Sequence, residues 1–184
     1  MTYANLILPY DPTEQEVTTS PKEKLSLKGK LTSALKKAGA GIKKAVKNPL
    51  TGKKIGAYYG CLLLRPGKVL QLDDAENPQL IEDFIKAIGA TPVIYAQRNE
   101  CCGAYTMFED ESIPKNRSQK ILANAEDMGA DFLVTSCPLC RYNLIKNKGD
   151  SKLAVIDFTE LLAEAPGLTE AQEWKTLNSL KKQY

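Results

Sequence analysis

The sequence predicts an α/β fold: a parallel sheet flanked by helices, with the cysteines gathered at the carboxyl ends of the strands. Three observations predict it. From Lys54 onward short apolar runs alternate with amphipathic segments of helical period. Strands alternating with helices are the pattern of a parallel sheet covered on both faces. All five cysteines, Cys61, Cys101, Cys102, Cys137 and Cys140, fall just after predicted strands.

Each element has its own warrant. KIGAYYG (54–60) reads as a strand, and NPQLIEDFIKAIGA (77–90) as a helix with Pro78 in its first turn. Leu80, Ile81, Phe84, Ile85 and Ile88 share one face of that helix, and Gly89 stops it. TPVIYAQ (91–97) gives a second strand, followed by the loop that carries Cys101 and Cys102. NRSQKILANAEDMG (116–129) is a helix, DFLVTS (131–136) an apolar strand, and Pro138 opens a short helix. KLAVIDF (152–158) is a fourth strand, with Thr159 as the expected cap of a last helix, ELLAEA. Right-handed crossovers between such strands give a Rossmann-like sheet.

The chemistry open to the chain is narrowed by what it lacks. It has no histidine. Cys-His dyads, Ser-His-Asp triads and histidine-containing zinc sites are therefore excluded together. The first twenty residues hold no Lys or Arg and a single short apolar run, so neither a signal peptide nor a membrane span is expected there, and a cytoplasmic location is. In a reducing compartment a cysteine cluster binds metal or does redox chemistry more often than it forms structural disulfides.

Local sequence supports a cage of thiolates. In an open parallel sheet the carboxyl edge is where ligands bind, so segments following the strands, three of them bearing cysteines, can converge on one pocket. Cys137-Pro138-Leu139-Cys140 places one sulfur at a helix cap and one in the first turn, where free N–H groups favour thiolate. Gly103 and Gly60, lacking Cβ, permit close approach of the chain beside Cys102 and Cys61. Adjacent cysteines are poorly placed to bridge one another, since a disulfide wants Cα atoms about 4.4–6.8 Å apart. Five converging sulfurs exceed the four that zinc takes, which favours an iron–sulfur cluster, with zinc on four of the five as the alternative.

The spacing carries a resemblance. Cys61, thirty-nine residues, Cys101-Cys102-Gly103, thirty-three residues and Cys137-Pro-Leu-Cys140 resemble the cysteine-rich CCG domain. The stretches AYYGCLLLRPGKVLQLDDAENP, ECCGAY and GADFLVTSCPLCRYNL are similar to the carboxyl-terminal half of the heterodisulfide reductase B subunit, from about Asn48 to Ala165. The resemblance implies a noncubane [4Fe-4S] cluster held by Cys61, Cys101, Cys102, Cys137 and Cys140, which would act in catalysis through that cluster. It also implies iron–sulfur and flavin subunits as partners, and disulfide reduction between two facing clusters. Related CCG subunits serve quinone-linked succinate or fumarate reductases and lactate-oxidising complexes, so the resemblance leaves the substrate open. A non-catalytic, zinc-stabilised interaction module is the reading from a different class.

The sequence departs from that pattern by having one copy of the motif. Residues 1–47 contain no cysteine. A second CCG domain, from another chain or from a homodimer, is therefore expected. Residues 1–47 read as a basic extension or connector helix, 48–165 as the iron–sulfur domain and 166–184 as a tail. Between residues 21 and 54 eleven lysines face the single acid Glu23, with Leu31, Leu35, Ile42 and Val46 at helical spacing. No aromatic side chain is interleaved to stack on bases, so this is a linker helix packed on its own domain and not a nucleic-acid site.

Near the cysteines in sequence, Arg65, Arg98 and Arg141 are weaker expectations, either offsetting cluster charge or holding an anionic substrate. Tyr58 and Tyr59 should point to opposite faces of a strand and pack in the core. Asp73, Asp74 and Glu76 read as a loop ahead of a helix, not as an acid/base pair.

Overall fold

The structure, a computed structural model, describes residues 40–166. Leu31 and Leu35 of the lysine-rich stretch, and nearly all of the expected tail, lie outside the described residues. Four strands form one sheet: β1 (Lys54–Tyr58), β2 (Thr91–Val93), β3 (Phe132–Thr135) and β4 (Ala154–Asp157). Their order is β2-β1-β3-β4, and every neighbouring pair is parallel. Helices α1 (Gly67–Leu70), α2 (Leu80–Ala87), α3 (Ser112–Asp127), α4 (Pro138–Lys146) and α5 (Phe158–Glu164) fill the connections, joined by single 3₁₀ turns at Ala96–Asn99 and Ala104–Thr106.

The strand alternation read from the sequence divides the core in two. Ile55, Ala57 and Tyr59 join Val134 and Ile156 under Ile81, Phe84 and Ile85 of α2 and Leu161 of α5. The Phe84 and Phe158 rings meet there at 4.5 Å between centroids, tying α2 to α5. Tyr58, Leu133 and Val155 belong to the second core, with Ile121, Leu122 and Ala125 of α3 and Leu144 of α4. Successive residues of a strand point to opposite faces, which is why Tyr58 and Tyr59 separate as expected. On β1 a Cβ at Gly56 would collide with Leu133, so glycine keeps the second core closed at that point.

Strand order fixes where a ligand can sit. The chain leaves β1 for β2 on one side and returns to place β3 on the other, so the order reverses between β1 and β3. At such a reversal the connections diverge and leave a crevice outside the carboxyl ends. Cys61 follows β1, and Cys137 follows β3.

Several boundaries differ from the expectation, each for a local reason. The second strand ends at Val93 and not at Gln97: Ala96 N–H donates to Asn124 Oδ1 at 3.0 Å, and residues 96–99 wind into a 3₁₀ turn. Pro78 precedes the helix it was expected to open. Asp73 accepts from the N–H groups of Gln79 and Leu80, both at 2.7 Å, which sets the start of α2 at Leu80. α3 begins four residues early, at Ser112, where Asp110 accepts from the Ser112 N–H at 2.8 Å. Asp157, not Thr159, caps α5, accepting from Thr159 N–H at 3.0 Å.

The end of the lysine-rich stretch packs as expected where it is described. Residues 40–45 are helical, and Ile42 and Val46 lie partly buried against the first core. Lys47 and Asn48 N–H both donate to the Ala165 carbonyl, at 2.8 and 3.0 Å, so the two expected limits of the cysteine-bearing unit meet.

Candidate functional site

Cys61 follows β1 and Cys137 follows β3, Cys102 lies 3.7 Å from Cys140, and none of the five cysteines is bridged. Cys61 opens the turn after β1, its carbonyl accepting from Leu64 and Arg65 N–H at 3.3 and 3.0 Å. Just ahead of it Gly60 has φ +65, and a Cβ there would stand 3.1 Å from Cys140 Sγ. Glycine thus lets the first loop press against a sulfur from the third. Cys101 and Cys102 follow the first 3₁₀ turn; Gly103, at φ +77, turns the chain so that its N–H donates to Cys101 Sγ at 3.3 Å. Cys137 caps α4, its sulfur accepting from Cys140 N–H at 3.4 Å, and Pro138 occupies the first helical position, where no N–H is needed.

The sulfurs meet in pairs. Cys102 and Cys140, both buried, lie 3.7 Å apart, and Cys61 lies near enough to Cys101 for that thiol to perturb it. Among the described residues no three cysteine or acidic side chains converge around one point as they would for a single ion. Donors here are sulfur throughout, from three loops, with the sulfur pairs adjacent to one another: a set suited to several linked metal atoms sharing thiolates.

Electrostatics of the pairs follows from their surroundings. Cys102 is lowered to about 6 by its contact with Cys140 and by the Ala104 N–H and Asn143 amide that face it. Cys140 is raised by that same contact, by burial and by the charges of Cys102 and Cys137. Burial, then the neighbouring Cys101 thiol, raises Cys61. Tyr58 hydroxyl donates to the Glu100 carbonyl at 2.8 Å, and burial followed by the neighbouring thiols holds its proton on.

The arginines singled out by proximity are committed elsewhere. Arg98 is 9% exposed and pairs with Glu82, 2% exposed, at 3.2 Å, while also donating to Asn77 Oδ1 at 2.6 Å. Tyr59 hydroxyl donates to Glu82, and burial raises that carboxyl despite the Tyr59 and Arg98 contacts. Arg65 reaches the Asn99 carbonyl at 2.9 Å and Glu76 at 3.1 Å. Arg141 pairs with Glu160 at 3.4 Å and donates to the Val155 carbonyl. Arg65 and Arg98 fasten the turns around the cysteine loops, and Arg141 ties α4 to β4 and α5. Asp73 and Asp74 cap the turn before α2, as the sequence indicated.

Three residues that the sequence reading did not single out lie against the cysteine loops. Asn143 donates to the Cys102 carbonyl at 2.8 Å and to Ser118 Oγ at 3.2 Å, and Ser118 is itself buried. Arg117 donates to the Cys101 carbonyl at 3.4 Å.

Residues 55–145 match the family model described as CCG, cysteine-rich domain, and all five cysteines fall within the match. The chain carries a CCG domain. Its relatives include the 8-methylmenaquinol:fumarate reductase membrane anchor subunit of Wolinella succinogenes, 37% identical over 56% of this chain and 36% of that protein. The B subunit of the ferredoxin:CoB-CoM heterodisulfide reductase of Methanosarcina mazei is 27% identical over 92% of this chain and 62% of its own length. A protein of Archaeoglobus profundus described as like the heterodisulfide reductase B subunit is 30% identical over 56% of this chain and 36% of its own. The chain thus spans between about a third and two thirds of the length of these relatives. Among the described residues no helix is long and apolar enough to cross a membrane.

Proposed function

We propose that this CCG domain is the cluster-bearing part of a redox subunit. Cys61, Cys101, Cys102, Cys137 and Cys140 would hold a noncubane [4Fe-4S] cluster in a cytoplasmic, heterodisulfide reductase-like complex. The observation that carries the reading is the meeting of Cys61, the Cys101-Cys102 pair and the Cys137–Cys140 helix start at the β1/β3 reversal, with a Cys102–Cys140 distance of 3.7 Å. An all-sulfur donor set suits iron–sulfur chemistry, and five cysteines exceed the four ligands that zinc takes.

When bound, such a cluster supplies electron transfer at the rim of the sheet. The chain's own residues would hold and shield it. Cys102 and Cys140 sit in the second core, Asn143 and Gly103 fix the loop that carries the adjacent pair, and Tyr58 keeps a neutral hydroxyl beneath. In the net reaction a disulfide accepts two electrons and two protons, its S–S bond breaks, and two thiols leave. Electrons would come through iron–sulfur and flavin subunits, and a second CCG domain would be supplied by another chain or by a homodimer. Residues 48–165 form the working unit in this reading, with 1–47 as a basic connector that docks it and 166–184 as a tail.

The 37% identity to the fumarate reductase protein favours one further reading, a quinone-linked complex built on the same cluster. In either case the Cys102→Ser variant tests the site. It is expected to keep the native circular dichroism and to lose or alter the iron-dependent absorption of the reconstituted chain, because losing a loop ligand disturbs the metal before the core. Unchanged iron content and spectrum would overturn the assignment.

A further inference from the structure

The peptide that joins Cys102 to Gly103 is held at both ends. Its carbonyl accepts from Asn143 Nδ2 at 2.8 Å, and its N–H donates to Cys101 Sγ at 3.3 Å. A trans peptide unit is planar and points its C=O and N–H in opposite directions, so fixing one end aims the other. Glycine at φ +77 supplies the turn that brings this N–H back to the sulfur two residues earlier. The orientation of the Asn143 amide is itself settled. Its Oδ1 accepts from Asn147 Nδ2 at 2.8 Å, and the second N–H of Nδ2 meets Ser118 Oγ at 3.2 Å. Asn143 and Ser118 are both buried, so neither can trade these bonds for water. Arg117 holds the preceding peptide by the Cys101 carbonyl, but at 3.4 Å and from an exposed position, which makes it the weaker tie. Asn143 stands three residues beyond Cys140 on α4, so the helix that opens with two of the sulfurs also sets the donor on a third.

We propose that Asn143 is a positioning residue for the redox centre: by holding the Cys102 carbonyl it aims the Gly103 N–H at the Cys101 sulfur, and so raises the reduction potential of the bound cluster. The inference rests on the reading of Cys101 as a cluster ligand. Hydrogen bonds to the ligand sulfurs are one of the influences that set iron–sulfur potentials. Reduction adds a negative charge, part of which falls on the thiolates, and an N–H aimed at one of them stabilises it. Releasing the carbonyl frees the peptide to turn about its flanking bonds, which glycine resists least of all residues, and the donor leaves the sulfur. A backbone N–H cannot be removed by exchanging a side chain. Asn143 is therefore the point at which the sequence controls this donor.

The test separates this role from a general effect on stability. In the full chain, metal-free and kept reduced, hydrogen exchange of the Gly103 amide is followed by NMR for Asn143→Leu and for Ser118→Ala. The second variant loses a buried partner of Asn143 but keeps the bond to Cys102. Asn143→Leu is expected to exchange Gly103 roughly fivefold to tenfold faster, the worth of one hydrogen bond, while Ser118→Ala stays within about twofold of native. The same chains, loaded with iron and sulfide, are then titrated electrochemically with detection by electron paramagnetic resonance. Asn143→Leu should shift the potential negative, and Ser118→Ala should leave it near native although both variants lose stability in urea. Asn143→Ser, too short to reach the carbonyl, takes the place of the Leu variant if that chain does not fold, with the same expected results. Unchanged Gly103 exchange in the Asn143 variant, or a potential that moves equally in the Asn143 and Ser118 variants, would overturn the proposal. A native chain that takes up no iron defeats the cluster reading and the tuning with it, whereas the Gly103 exchange still decides whether Asn143 aims the donor.

Discussion

Removing the Arg98 side chain isolates the contribution of the buried clamp beneath the cysteine loops. Arg98 joins Glu82 with both side chains almost fully enclosed, and the turn containing it receives Tyr59 N–H at its carbonyl, at 2.8 Å, immediately ahead of Gly60 and Cys61. Arg98→Met keeps the length and apolar stem of the side chain but leaves Glu82 buried without its cation. Breaking a buried pair in this way costs about 3–5 kcal/mol, whereas an exposed pair such as Lys86–Asp83, at 57% and 66% exposure, contributes about 0–1 kcal/mol. Measured by urea unfolding with circular dichroism at pH 7, and with a slope of about 2 kcal/mol per molar, the midpoint should fall by roughly 2 M. Lys86→Met should hardly move it. The pH dependence has a definite sign. Burial raises Glu82 above its unfolded value of 4.5, and the loss of Arg98 removes one of the contacts that lower it. A carboxyl raised in the folded state binds more protons there than in the unfolded chain, so the deficit is full at neutral pH and shrinks as pH falls toward 5. Adding Glu82→Gln to Arg98→Met should recover part of the loss, since the uncompensated charge is gone. A deficit below about 1 kcal/mol, or one that grows on acidification, would refute the reasoning.

Two smaller perturbations probe the site from different sides. Gly60→Ala places a methyl 3.1 Å from Cys140 Sγ at φ +65, so it should lower stability by about 1–2 kcal/mol and displace Cys140, read as reduced iron uptake in reconstitution; full uptake would show the close approach to be incidental. Asn143→Leu leaves the Cys102 carbonyl and Ser118 without their donor, at a cost of about 1–3 kcal/mol in urea unfolding, with faster amide hydrogen exchange at Ala104; unchanged stability and exchange would place the ordering of the loop elsewhere.

Much of this architecture was legible because it depends on short-range periodicity. Alternation in KIGAYYG separates Tyr58 from Tyr59, and the spacing of Ile81, Phe84, Ile85 and Ile88 marks the buried face of α2. That Cys61 follows β1 and Cys137 follows β3 could be read from the order of elements, whereas β2 ends eight residues before Cys101. What escaped depends on partners remote in sequence. β2 is cut short by Asn124, twenty-eight residues from Ala96, and α2 is started by Asp73, six residues before Gln79. Sequence proximity pointed to Arg65, Arg98 and Arg141, yet each found a carboxylate, while Arg117 reaches Cys101 from sixteen residues away because Gly103 leaves room for it. A basic residue on the exposed face of a helix carries no local sign of such a role.

The central claim is that these five thiols hold a polynuclear iron centre. Its most direct test is the iron, acid-labile sulfide and zinc content of the full chain purified without oxygen. The account predicts a brown protein with about four irons and four sulfides per chain and essentially no zinc. A colourless protein holding about one zinc, and taking up no iron on reconstitution, would contradict it.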